Sequence, residues 1–434
     1  MLMPIICLDT GLRQFLTTFR GLFSKPQFKY FVTILLGLML CQETKTLSGL
    51  LRQVNSGVSL SGTSRFLAEA PWSVTDLIAS CQRWFTRPMV VKVQAEHARQ
   101  RANQPKRQGR PKRTVVTGYL IGDDSIMHKV RGQKMGGLGK HYSATAEKTV
   151  TGHSLVLGLY LLLGRRCPLE PQMYRQQAVC EREGVPFHSK VDIMEETVSS
   201  FEPVPETQTH VLLDSWYTSK RIWKAARDRG FLITSGLRCN RKLRVEDPEA
   251  PKGWRWQRVD EYAAQLSKDD FQPMTYPSQG DKHAVYVHVV SSRIKKLYRC
   301  QVVFIRERMD GKTKYWASSD LDADVDALLV HIATRWDIEV LFADTKELLG
   351  LDQYQLMSAT AIRRFWALTM VAYLFLDESR VHLQQERQAH VTIGDAWRDG
   401  RRVHWCHFLD WLHAQFLDGV KPVDLYDRLT VSAI

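Results

Sequence analysis

Two short apolar runs in this chain stop abruptly on acid. "TVVTGYLIGDDS" (114–125) is β-branched and apolar until Asp123 and Asp124. "THVLLDSWYTSKRIWKAARDRG" (209–230) reads as a short strand, an acidic tip at Asp214 and a helix ending at Gly230. "KTVTGHSLVLGLYLLLG" (148–164) reads as one or two buried strands, and "FLITSGLRCNRKLRV" opens with another. Strands alternating with helices in this way predict an α/β core. A carboxylate beside such a core is costly unless it is paired or binds a metal.

A third acid lies on a predicted helix, "RWDIEVLFADTKELLG" (335–350). Arg335, Glu339 and Lys346 fall within about 40° of one another on a 3.6-residue helix. They flank an apolar stripe of Ile338, Leu341, Phe342, Thr345 and Leu349. As a surface row they would be worth only a few tenths of a kcal/mol. Asp337 and Asp344 lie across the helix and are expected to be solvated. If Asp123 or Asp124 converges with Asp214 and Glu339, the result is an oxygen-only site for Mg²⁺ or Mn²⁺. Two such ions can activate a water or a 3′-hydroxyl and stabilise the departing oxygen at a phosphodiester. A cap or turn role is the common alternative for any single strand-end Asp.

The net charge of +14 and a pI near 9.4 favour a polyanionic partner, nucleic acid or an anionic membrane surface. The longest apolar runs, 30–41 and 154–164, are short of the roughly 20 residues that cross a bilayer. No basic n-region precedes the first apolar patch, so no signal peptide is expected. The eight Cys are scattered without a CxxC pair, against a zinc module or a disulfide framework. A cytoplasmic, nucleoid-associated protein fits this balance best.

Residues 1–98 carry helical periodicity and are expected to form a helical DNA-binding region, with Ser73 capping a helix and a helix–turn–helix unit near 59–84. An ordinary helical bundle explains the pattern equally well. Residues 99–113 form an extended basic linker with Lys106, Arg107, Arg110, Lys112 and Arg113, suited to phosphate contacts. Its "QGRPKR" resembles the AT-hook, an arm that lies in a narrow minor groove. The core is expected over 114–237 and 316–375, interrupted by a β-rich insertion at 238–315 and followed by helices over 376–434.

"LIGDDS", then "KHYSATAEKTVTGHSLV", "HVLLDSWYTSK" and "RWDIEVLFADTKELLGLDQYQ" resemble a cut-and-paste DDE transposase of bacterial insertion sequences. The resemblance spans roughly 114–375 and is nearest to the group with a β-rich insertion between the second Asp and the Glu. That group carries Tyr-x2-Arg-x3-Glu-x6-Lys on one helix. Arg335, Glu339 and Lys346 match, and Ile332 stands at the Tyr position. In the family that Tyr contacts DNA phosphate.

The resemblance implies a ribonuclease H-like core with helical regions at both ends. It implies Asp124, Asp214 and Glu339 as catalytic residues binding two Mg²⁺ (or Mn²⁺) ions, with Asp123 the alternative ligand. Family motifs place the catalytic Asp before Ser or Thr, and Ser125 follows Asp124; strand alternation says only that the two acids point to opposite faces. Arg335 and Lys346 would hold phosphates. Cleavage at terminal inverted repeats, a hairpin intermediate and strand transfer into target double-stranded DNA would follow, with a homodimer on paired ends. Relatives stack a flipped base on Trp, for which Trp254 and Trp256 are the candidates. The competing readings are a catalytically inactive DNA-binding regulator and a structure-specific nuclease.

Overall fold

A computed structural model describes residues 10–425, apart from 55–56, 105–113, 133, 144–145 and 279–280; for 276–278 and 281–282 it describes backbone only. Lys106, Arg107, Arg110, Lys112 and Arg113 lie outside the described residues.

The chain opens with α1 (Thr10–Thr17), α2 (Lys25–Leu40), α3 (Leu47–Gln53), α4 (Leu60–Ala68) and α5 (Val74–Ala102). The starts follow from side-chain caps. Ser24 accepts from the backbone of Gln27 and Gln27 reciprocates, a capping box with Pro26 in the first turn. Ser73 accepts from the Asp76 amide at 3.1 Å, as expected for α5. Helix α5 runs to Ala102, past the expected boundary at 98, and Arg99 at its end pairs with Glu96 at 2.8 Å.

The middle of the chain is mixed. β1 (Thr117–His128), β2 (Gly139–Ser143), β3 (Lys148–Leu162), β4 (Arg165–Pro168) and β5 (Gln172–Tyr174) lead into α6 (Gln177–Glu183) and α7 (Lys190–Ser200). Then come β6 (Gln208–Leu213), α8 (Lys220–Asp228) and β7 (Leu232–Gly236). The insertion supplies β8 (Lys242–Glu246), β9 (Trp254–Arg258), α9 (Val259–Gln265), β10 (Gln272–Ser278), β11 (Asp281–Arg293), β12 (Arg299–Arg306) and β13 (Thr313–Ser318). The chain closes with α10 (Val325–Thr334), α11 (Asp337–Leu349), α12 (Ala359–Arg387) and α13 (Ile393–Leu417).

One mixed sheet runs in the order β10-β11-β12-β13-β7-β6-β1-β3-β2, with β4 and β5 on β3. β1 pairs antiparallel with β3 and parallel with β6, and β6 pairs parallel with β7. The expected insertion therefore extends the core sheet through the antiparallel β13–β7 pair, and only β8–β9 forms a separate ribbon. The expected boundary at 315/316 cuts through β13, because the strand that leaves the insertion is the one that rejoins the core.

Helices cover both faces of the sheet. Gly122 lets α7 approach one face closely: a Cβ there would lie 2.4 Å from Met194 Sδ. α10 and α11 pack on the other face. The N-terminal helices share one buried cluster with the sheet and α12. Arg364 of α12 donates to the carbonyls of Leu67 (3.0 Å), Ala70 (2.7 Å) and Trp72. The turn joining α4 to α5 is thus held inside the protein. Helix α12 is long and apolar enough by composition to cross a membrane, but 78% of its apolar window is buried within the protein.

Candidate active site

β1 is regular across its whole length, pairing residue by residue from Gly118↔Leu162 to His128↔Gly152. Without a bulge, alternate side chains must take opposite faces. Asp124 falls on the face of Gly122, where it forms an ion pair with Lys190 of α7 and accepts from Tyr217 Oη at 2.7 Å. Asp123 falls on the face of Ser125. There Lys346 of α11 donates to Ser125 Oγ at 2.7 Å, and Arg335 reaches Asp123 at 3.4 Å.

Arg335 is the hub. One arm of its guanidinium meets Asp123 and the other meets Glu339. A single planar group thus spans two acids that are 216 residues apart in sequence. The 335–350 segment is not one helix, however. α10 ends at Thr334, Arg335 and Trp336 form the joint, and α11 starts at Asp337. Gly350 closes α11 with a left-handed φ of 65°.

Asp214 follows the last residue of β6. Leu213 pairs with Gly122, so the next step of the two parallel strands brings Asp214 level with Asp123. Its Oδ1 accepts from the amides of Trp216 (2.8 Å) and Tyr217 (3.3 Å). Burial and the neighbouring Asp214 charge push the Asp123 carboxyl up to about 7. Burial raises Asp214 as well, against the two amides that favour its charge. Burial lowers the Lys346 ammonium. Two like charges held half-buried together in this way call for a cation, and an all-oxygen donor set suits a hard divalent ion.

Other expected residues sit elsewhere. Trp254 and Trp256 are half-buried in the β8–β9 ribbon, edge to face at 5.4 Å, with Arg244 over Trp254 at 4.6 Å. Ile332 packs in a small apolar cluster with Leu328 and Leu329. Asp337 is not simply solvated: it accepts from Arg166 Nε at 3.1 Å. Asp344 is half-buried, and burial raises its carboxyl to about 6. His153 bonds Gly136 O (3.0 Å) and Tyr354 Oη (2.9 Å).

Sequence reasoning missed Lys190 and Tyr217, the partners of Asp124, and Trp216. Tyr217 and Trp216 carried a signal in "DSWYT", immediately after the second acid. Lys190 carried none. Trp216 is 56% exposed with the Arg238 guanidinium 4.7 Å over its ring.

A family profile described as "DDE superfamily endonuclease" matches residues 18–279, more than half of the chain. The chain belongs to the DDE superfamily endonucleases. A second profile, "Transposase DDE domain", matches 189–375. The first match contains Asp123, Asp124 and Asp214, and the second contains Asp214 and Glu339. This DDE endonuclease is therefore a metal-dependent DNA-cleaving enzyme of the transposase type. Among solved structures, a piggyBac transposase synaptic complex with hairpin DNA is similar at 12% identity and a TM-score of 0.43, covering 96% of this chain and 77% of that one. No curated protein matches the sequence.

Proposed function

We propose that this DDE endonuclease is a cut-and-paste DNA transposase whose metal ligands are Asp123, Asp214 and Glu339. One observation carries the choice: Arg335 joins Asp123 to Glu339 on the α11 side of the sheet, while Asp124 faces α7. This reverses the preference for Asp124 drawn from the Ser that follows it. The pleat, which sets Asp123 on the side of Arg335 and Glu339, supports this choice. The mixed sheet with helices on both faces supports a ribonuclease H-like core.

When bound, a pair of Mg²⁺ or Mn²⁺ ions supplies an activated hydroxyl and charge stabilisation at the scissile phosphodiester. The chain's own residues do the rest. Asp214, held by two amides, and Asp123, level with it, present oxygens from adjacent strands. Glu339 presents the third from α11. Arg335 neutralises two of these acids and offers a planar fork to a phosphate. Lys346, anchored on Ser125, offers a point charge beside it. Lys190 and Tyr217 keep Asp124 satisfied on the opposite face of β1. The DNA partners are the terminal inverted repeats and the target duplex, bound by a dimer, with second-strand cleavage through a hairpin.

The test uses a duplex carrying the inverted repeats that flank the gene. Wild type should nick it only with Mg²⁺ or Mn²⁺ and yield strand-transfer products on a gel. Cleavage of branched DNA without any transfer product would favour the structure-specific nuclease. Binding without cleavage would favour the inactive regulator.

A further inference from the structure

A second cluster of metal-ligating side chains lies outside this site. His210 is in the middle of β6, Asp320 is in the turn after β13, and His331 is in the last turn of α10. Among the described residues, one ligand atom from each lies within 4.8 Å of the others. The two imidazole rings are 4.0 Å apart between centroids. His210 is 1% exposed and His331 7% exposed. The Nδ1 of each is buried without a hydrogen-bond partner. Two orphaned buried nitrogens on neighbouring rings cost free energy unless something binds them.

The hydrogen bonds around His210 fix which nitrogen is free. Thr234 donates its hydroxyl proton to Ser318 Oγ at 2.8 Å. Its oxygen must then accept from His210 Nε2, 2.8 Å away. Nε2 therefore carries the proton, and Nδ1 is left with an unpartnered lone pair. This is the arrangement in which an outer hydrogen bond sets a ligating histidine's tautomer. Ser318 also accepts from the Asp320 amide at 3.2 Å, which ties the third ligand to the same network. Burial lowers the pKa of both imidazoles, the direction that favours ligation.

We propose that His210, Asp320 and His331 bind one Zn²⁺-class transition-metal ion, separate from the carboxylate site. Nitrogen donors select such an ion over Mg²⁺. Three protein ligands and a water complete a tetrahedral shell, whose donors lie about 3.3 Å apart at ordinary Zn–ligand lengths. The ion would clamp β6, the β13–α10 turn and α10 together. β6 delivers Asp214 four residues after His210, roughly 13 Å along the strand. α10 delivers Arg335 one turn after His331, and Arg335 N bonds His331 O at 3.3 Å. The site is thus a positioning device for the joint that holds Arg335 and Glu339.

The test uses the full chain without a histidine tag, stripped with chelator. It is dialysed against Zn²⁺ for elemental analysis and titrated with Co²⁺ for visible absorption. A background variant, Asp123→Asn with Asp214→Asn and Glu339→Gln, removes the carboxylate site. The expected result is one Zn²⁺ per chain and a tetrahedral Co²⁺ band in both proteins. His331→Gln should lose both. Asp320→Asn, in a partly exposed turn, should keep its circular dichroism and weaken binding about 10-fold or more. Zn²⁺ should raise the Tm of the wild type and not that of His331→Gln. No Co²⁺ band, or Zn²⁺ stoichiometry unchanged by both substitutions, overturns the proposal. Loss of Zn²⁺ only in the carboxylate variant also overturns it, and would leave the transposase reading intact.

Discussion

Lys346 of α11 donates a hydrogen bond to Ser125 of β1 at 2.7 Å, and that contact fixes the way the strand's pleat faces. Ser125 and Asp123 share a face, so Lys346 and Asp123 line one groove. Lys346 is half-buried, which makes it a stronger electrostatic partner for a phosphate than an exposed one. Lys346→Met keeps the aliphatic stem and removes the charge. We expect folding stability to change by no more than about 1 kcal/mol and DNA cleavage to fall about 10²-fold. Chemical denaturation and single-turnover cleavage check the two halves.

The Asp123 carboxyl, pushed up to about 7 by burial and Asp214, links stability to pH. Its folded pKa lies above the ordinary unfolded value near 4, so between these values the native state holds a proton that the unfolded state has lost. Stability without metal should therefore fall as pH rises from about 4 to 7 and stay low above that. The penalty at pH 8 is on the order of 4 kcal/mol. Asp123→Asn should flatten the part of this dependence nearest pH 7 and raise Tm at pH 8, leaving the part that half-buried Asp344 contributes up to about pH 6. Mg²⁺ should stabilise the wild type more at pH 8 than at pH 6, measured by differential scanning calorimetry.

Asp377 of α12 is fully buried and accepts from Arg165 Nε (3.0 Å), the Arg166 amide (2.9 Å) and Arg380 Nε (2.9 Å). Removing the acid leaves buried guanidinium charge uncompensated. Asp377→Ala should cost about 3–5 kcal/mol, read as a lowered urea midpoint. Arg165 comes from β4, so the substitution loosens the seam between sheet and helical bundle.

Trp216 offers an exposed ring two residues from Asp214, with Arg238 over it. Trp254 and Trp256 are half-buried against each other and Arg244. Trp216→Ala should weaken binding of a duplex end with unpaired bases by about 1–3 kcal/mol. Trp254→Ala should have a smaller effect. Fluorescence anisotropy on the two variants separates them.

Much of this was legible in the residues. The acidic tip at Asp214, the Ser73 cap and the Arg335–Glu339–Lys346 row follow from periodicity and local chemistry, which act within a few residues; Asp123 and Asp124 instead lie inside β1, which runs on to His128 and does not stop at the acids. The face of β1 was not legible, because alternation says that Asp123 and Asp124 diverge without saying which side α11 covers. Nor was the fusion of the insertion with the core sheet, since the β13–β7 pair depends on residues such as Thr234 and Ser318, 84 apart in sequence, closing at long range. Lys190 reaches Asp124 across 66 residues, and no local pattern marks it. The break at Arg335–Trp336 was also hidden, because the sequence across it keeps helical periodicity.

The most direct measurement compares metal-dependent cleavage by Asp123→Asn and Asp124→Asn on the same terminal-repeat duplex, with DNA affinity recorded for both. Asp123→Asn should lose cleavage entirely and keep DNA binding, while Asp124→Asn should retain activity reduced by about 10–100-fold. Full loss in Asp124→Asn with activity surviving in Asp123→Asn would contradict the assignment of Asp123, Asp214 and Glu339 as the metal-binding acids.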